Sequence, residues 1–221
     1  MEEREIKIIT LGDTGVGKTS IIKRIKDGIF DETIKCTLNC DIFFLKKPYN
    51  SKNLTIKLTF YDTIGQEKYQ KCLPLQYIRD SHIVLLVFSN ADTLNNLKRR
   101  WYEFYKQNAN IENSRFILIG NKTDKFGNER ENIIKLGEEF SEEIDAHFLT
   151  CSAKNAENID NLERYIITEA KRFIDTEEME NSSIAAAPSI TSTINNRNKF
   201  HLNKDRNKPS FSFLKKIKDL C

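Results

Sequence analysis

The chain has 221 residues, and 35 Lys and Arg against 32 Asp and Glu leave a formal charge of only +3, with 39% apolar residues. That balance excludes a uniformly basic nucleic-acid coat as the default reading. The longest apolar run, Ile83–Phe88, is far short of the roughly 20 residues that a membrane-spanning helix needs. The length suits one domain plus an appendage. The five cysteines show no CxxC spacing, which disfavours a zinc site or a disulfide framework. The opening Met1-Glu2-Glu3-Arg4-Glu5 has no apolar leader core, so a cytosolic protein is expected.

In chain order, Ile6–Leu11 reads as a strand. Thr19–Asp27 reads as a helix with Ile21, Ile22 and Ile25 on one face. Asp41–Lys47 and Leu54–Tyr61 read as two strands joined by a turn over Pro48–Asn53. Ile83–Phe88 is apolar throughout, as suits a strand covered on both faces. Leu94–Lys106 is helical, with Leu94, Leu97, Trp101 and Phe104 on its stripe. Phe116–Gly120 is a short buried strand, Asn132–Glu143 a helix and His147–Thr150 a last strand. Ile159–Phe173 is a helix with Ile159, Leu162, Ile166, Ala170 and Phe173 aligned. This alternation predicts an α/β fold: a six-stranded, mostly parallel sheet with one antiparallel edge strand and helices on both faces.

From about Asp175 the apolar period stops. Residues 181–221 hold eight Lys and Arg and two acids, a net of +6, so the first 180 residues carry about −3. The expected organisation is one folded domain over 1–175, a flexible Ser-, Thr- and Asn-rich linker over 176–210, and a basic tail over 211–221 ending at Cys221.

Between the first strand and the first helix stands Gly12-Asp13-Thr14-Gly15-Val16-Gly17-Lys18-Thr19, the phosphate-loop pattern GxxxxGK[ST] in its required context. Its glycines let the backbone curl so that N–H groups point at phosphate oxygens, and the helix N-terminus adds positive potential. Thr14, Gly15, Val16, Gly17, Lys18, Thr19 and Ser20 are therefore candidate nucleotide contacts. Lys18 would pair with the β- and γ-phosphates, and the Thr19 hydroxyl would ligate Mg²⁺. The base is named further on. In Asn121-Lys122-Thr123-Asp124, after a buried strand, the Asp124 carboxylate can accept from both N1–H and the exocyclic amine of guanine. Adenine has no matching donor pair. Asn121 would hold the loop and the base, and the Lys122 stem would cover one face of the ring. Backbone N–H groups of Ser152 and Ala153 can meet guanine O6, and Lys154 can pack on the base.

The remaining candidates sense the γ-phosphate. In Asp62-Thr63-Ile64-Gly65-Gln66, Asp62 ends a strand and can hold a Mg²⁺ water. Gly65 can offer its N–H to the γ-phosphate, and Gln66 can orient the attacking water as the catalytic residue. Thr37 would reach Mg²⁺ while the γ-phosphate is present. Phe30 could press on the guanine ring.

These motifs, in this order over roughly residues 5–175, resemble the Ras superfamily of small GTPases. The resemblance implies a P-loop fold, GTP or GDP bound with Mg²⁺, and slow hydrolysis. It also implies exchange factors, activating proteins and effectors as partners at the switch segments, and no role for nucleic acid. A monomer is expected. Within the superfamily the phosphate-loop form, Tyr77-Ile78-Arg79-Asp80-Ser81 and NKTD look most like a Rab, with a hint of the Golgi-acting subgroup. That implies vesicle trafficking, a prenylated Cys221 beside Lys215, Lys216 and Lys218, and reversible attachment to the cytosolic face of an internal membrane, Golgi or endosomal. The chain departs from the Rab pattern in three places: Asn39 where Gly is usual, Ile64 where Ala is usual, and a single cysteine near the end. Ile64 and Asn39 leave open a GTP-holding module with little turnover, and a Ras-type signalling protein is a further alternative. A P-loop ATPase or nucleotide kinase is contradicted by Asn121–Asp124.

Overall fold

The computed structural model describes residues 2–33, 40–49, 54–65 and 75–185. Strand β1 (Glu2–Leu11) leads through the phosphate loop into α1 (Lys18–Asp27). Strands β2 (Asp41–Tyr49) and β3 (Leu54–Asp62) follow, then the short α2 (Leu75–Ile78) and β4 (Ile83–Phe88). A helical run continues as α3 (Ala91–Asn96), a π turn (Leu97–Tyr102) and α4 (Glu103–Asn108). The chain closes with β5 (Arg115–Asn121), α5 (Arg130–Glu143), β6 (His147–Cys151) and α6 (Ile159–Ala185).

The sheet order is β2-β3-β1-β4-β5-β6. Every pairing is parallel except β2 with β3, which is antiparallel and sits at the edge. This is the architecture that the strand and helix alternation predicts. Side chains alternate across a strand, and here both faces are covered. Ile83, Leu85 and Val87 pack with Ile21, Ile22, Leu162 and Ile166 on one side. Val84, Leu86 and Phe88 pack with Leu94, Leu97, Trp101 and Phe140 on the other. A parallel sheet covered on both sides needs this uninterrupted apolar strand.

Several boundaries differ from the sequence expectation. Pro48 and Tyr49 belong to β2, paired with Thr55 and Leu54, and not to a turn. Proline is tolerated there because β2 is an edge strand with one open side. The stripe of the α3–α4 run buries Tyr105 where Phe104 is expected; Phe104 is only partly covered. The π turn holds more residues per turn, so the inward seat falls four positions after Trp101. On α6 the inward seat is Ile174, four after Ala170, and Phe173 lies at the margin. That helix also runs on to Ala185. No helix among the described residues is long and apolar enough to cross a membrane.

Candidate functional site

The site lies at the carboxyl ends of β1, β3, β5 and β6, where open α/β sheets place their ligands. A cleft of about 560 Å³ is lined by Thr14, Gly15, Gly17, Lys18, Thr19, Ser20, Phe30, Gly65, Asn121, Lys122, Asp124, Ala153 and Lys154, and also by Asp31, Glu32 and Lys125, which the sequence reading did not single out. Residues from five separate stretches of sequence thus meet around one space of the size that holds a small ligand. Of the described sequence candidates, Val16, Asp62 and Ser152 stand outside this lining, Asp62 being buried behind Thr19. The Val16 side chain is fully buried in the core. Thr37, Asn39, Gln66 and Cys221 lie outside the described residues.

At one end the geometry is set by side chains that hold one another. Asn121 is buried, and its Nδ2 donates to the Val16 carbonyl at 2.8 Å. Its Oδ1 accepts from the Ala153 N–H at 3.2 Å. One amide therefore ties the phosphate loop to the β6 loop. Gly17 makes this possible: its φ is +99°, and a Cβ there would stand 2.3 Å from Asn121 Nδ2. Only glycine takes that conformation without strain and leaves room for the amide. Lys122, with φ of +68°, sends its ammonium to the Gly15 carbonyl at 2.5 Å. Its stem thus spans the cleft floor, and partial burial pulls its pKa down.

Asp124 accepts from the Ser152 hydroxyl at 2.6 Å. The Ser152 N–H is turned the other way, onto the Glu157 carbonyl at 3.0 Å. So Ser152 orients the carboxylate, and its own N–H does not reach for a ligand as the sequence suggested. The Ala153 N–H is likewise engaged by Asn121. Two further residues support this end. Arg24 donates to the carbonyls of Ala153 and Lys154 at 2.8 and 2.9 Å, and its guanidinium stands 5.8 Å from the centre of the Phe30 ring. Glu157 accepts from Thr123 at 2.5 Å. Sequence reasoning missed both, because each acts on a loop over a hundred or over thirty positions away and carries no motif.

The other end is built from charge. Lys18 is only 6% exposed. Its ammonium donates to the carbonyls of Gly12 at 2.8 Å and Asp13 at 3.1 Å. Burial pushes its pKa down to about 8, against the opposing pull of Asp62 and Asp13. Asp62 is fully buried, and Thr19 Oγ1 donates to its Oδ2 at 2.5 Å. Thr10 adds a weaker contact at 3.4 Å. Burial raises the Asp62 pKa more than these hydroxyls and Lys18 lower it. Gly65 lies directly on this group: a Cβ there would meet Lys18 Nζ at 2.5 Å and the Asp13 peptide at 2.6 Å. Ile64 is half-exposed and does not line the cleft.

The donor set fits Mg²⁺. A hydroxyl and a buried carboxylate in hydrogen-bond contact are hard oxygen ligands, and Mg²⁺ is commonly held by one or two such groups plus substrate phosphates. No full cage is required, and among the described residues no cluster of three or more His, Cys, Asp or Glu offers one. The cleft thus has a hydrogen-bonded carboxylate at one end and a buried ammonium at the other, with magnesium-type oxygens beside it. The family model that matches the chain is that of the Ras family, over residues 7–172.

Proposed function

The chain belongs to the Ras family, a small GTPase that binds GTP and GDP, and from that premise we propose that it acts as a Rab-type switch in vesicle trafficking. The observation that carries the reading is the two-ended cleft. Asp124, aimed by Ser152, selects guanine. Lys18 takes the β- and γ-phosphates in exchange for its two backbone carbonyls. Thr19 and Asp62 would hold Mg²⁺, which would offset the charge gathering on the phosphates. Gly65 sits within reach of Lys18, so its N–H can turn to the γ-phosphate. Gln66 aims a water at the γ-phosphorus, and GDP and inorganic phosphate are the products. Thr37 would complete the metal site while the γ-phosphate is present, the difference that effectors would read.

The Rab assignment is supported by the form of the phosphate loop, the Tyr77–Ser81 segment and Asn121–Asp124. The basic Lys215, Lys216 and Lys218 near Cys221 support a lipid-bearing tail, since each basic residue adds about 1 kcal/mol at an anionic surface. We place the protein on the cytosolic face of an internal membrane, Golgi or endosomal. Single-turnover hydrolysis of bound GTP, with Gln66→Leu beside the native chain, tests the switch. A native rate no faster than that of Gln66→Leu favours a GTP-holding module instead, the reading that Ile64 next to Gly65 invites. Imaging a tagged chain with and without Cys221 tests the membrane: equal, diffuse signals refute the tail's role.

A further inference from the structure

The phosphate loop is gripped from the side. Asp13 Oδ1 accepts from Trp101 Nε1 at 2.8 Å, and Asp13 Oδ2 accepts from Asn96 Nδ2 at 2.8 Å. The two donors are five positions apart in one helical run. At 3.6 residues per turn they would point about 140° apart and could not share a carboxylate. The run is not α-helical there, because Leu97–Tyr102 forms a π turn. Its hydrogen bonds run from i to i+5, which stacks the fifth residue nearly over the first. The wide turn therefore brings both donors to one face. Turns of this kind are rare and often mark functional positions.

The backbone of the same residue is part of the phosphate cradle. The Asp13 carbonyl accepts from Lys18 Nζ, and the Asp13 peptide is the surface on which Gly65 lies. We propose that Asp13 is a positioning residue: its side chain, clamped by Asn96 and Trp101 across the π turn, fixes the backbone seat of Lys18 and Gly65 and so sets how long the nucleotide stays bound. The clamp acts on the guanine-nucleotide site and rests on that reading. Asp13 touches no ligand atom in this role. It works through the carbonyl that directs the Lys18 ammonium.

Release of a fluorescent GDP analogue from the full chain tests it. Trp101→Phe keeps the buried ring and removes one donor, while Asn96→Ala removes the other at a half-exposed position. Each accelerates release on the order of tenfold, the size of one hydrogen bond to a charged group. Asp13→Ala accelerates it at least as much. Adding Trp101→Phe or Asn96→Ala to Asp13→Ala changes nothing further, a non-additivity that general loosening of the core would not give. If Trp101→Phe folds poorly, Asn96→Ala with Asp13→Ala carries the cycle alone. Native release rates in the donor variants, or undiminished acceleration in the Asp13→Ala background, overturn the clamp. A native chain that retains no GDP overturns the nucleotide reading as well, and is told apart by the native measurement.

Discussion

The two ends of the cleft are organised on opposite principles. At the base end, polar side chains satisfy each other: Asn121 spans to Val16 and Ala153, and Ser152 aims Asp124. At the phosphate end, an ammonium and a carboxylate are buried, and their hydrogen-bond partners are neutral carbonyls and hydroxyls. Burial accordingly shifts both groups against their charged forms. Burying a charge is costly, and on the proposed reading a polyanion with its metal ion would offset part of that cost. On the proposed reading, the base end holds selectivity as fixed geometry and the phosphate end holds affinity as buried charge.

The sharpest way to break this division is Asp124→Asn. It replaces two acceptors by one acceptor and one donor. GTP affinity falls on the order of 10³-fold while xanthine nucleotides gain, because a site built for particular hydrogen bonds rejects a mismatch strongly. Competition of GTP, ATP and XTP for one labelled nucleotide measures it, and equal native affinity for ATP and GTP would refute the assignment. Lys18→Ala comes next, with a loss of about 10²-fold shared equally by guanine and xanthine nucleotides. A change in base preference in that variant would blur the two ends into one.

The third effect is on pH. Lys18 in the folded protein titrates near 8, below the ordinary lysine value of about 10.4. The unfolded chain therefore binds more protons between those values, and the contribution of Lys18 to stability rises as pH climbs through that window. Nucleotide binding runs the other way. Phosphate favours the charged ammonium, so affinity falls as pH rises past 8, by about tenfold at pH 9. Dissociation constants for GDP from pH 7 to 9.5 check it, and Lys18→Arg, whose charge persists, gives a flat profile. The smallest effect concerns Ile64. A β-branched side chain beside Gly65 is stiff, and a small displacement of the catalytic pose is expensive in rate. Ile64→Ala is expected to hasten single-turnover hydrolysis a few-fold, and Gln66→Leu to slow it in both backgrounds. No gain from Ile64→Ala would mean that the half-exposed Ile64 does not constrain the neighbouring Gly65.

How far these features were legible from the residues follows from the range of the forces behind them. The strands were readable because burial on both faces forces an apolar run such as Ile83–Phe88. The cleft was readable because its glycines, Lys18, Asn121 and Asp124 are each demanded by local chemistry. The π turn was not, since nothing in Leu97–Tyr102 distinguishes it from an ordinary helical stripe, and so Phe104 displaced Tyr105 in the expectation. The role of Ser152 was misjudged for a similar reason. Its N–H is claimed by Glu157 through a turn whose register only the folded chain sets. Arg24 and Asp13 act across 129 and 88 positions, and such long-range hydrogen bonds leave no period behind.

Trp101 is the one tryptophan of the chain, and its indole N–H ends on the phosphate loop. Any change in tryptophan emission must therefore originate at that single ring. The ring is buried among apolar side chains, and its nitrogen meets the Asp13 carboxylate in the phosphate loop. The molecule is thus expected to carry its own optical gauge: if loading or emptying of the cleft shifts the Asp13 carboxylate, intrinsic fluorescence reports it with no dye attached and no residue replaced.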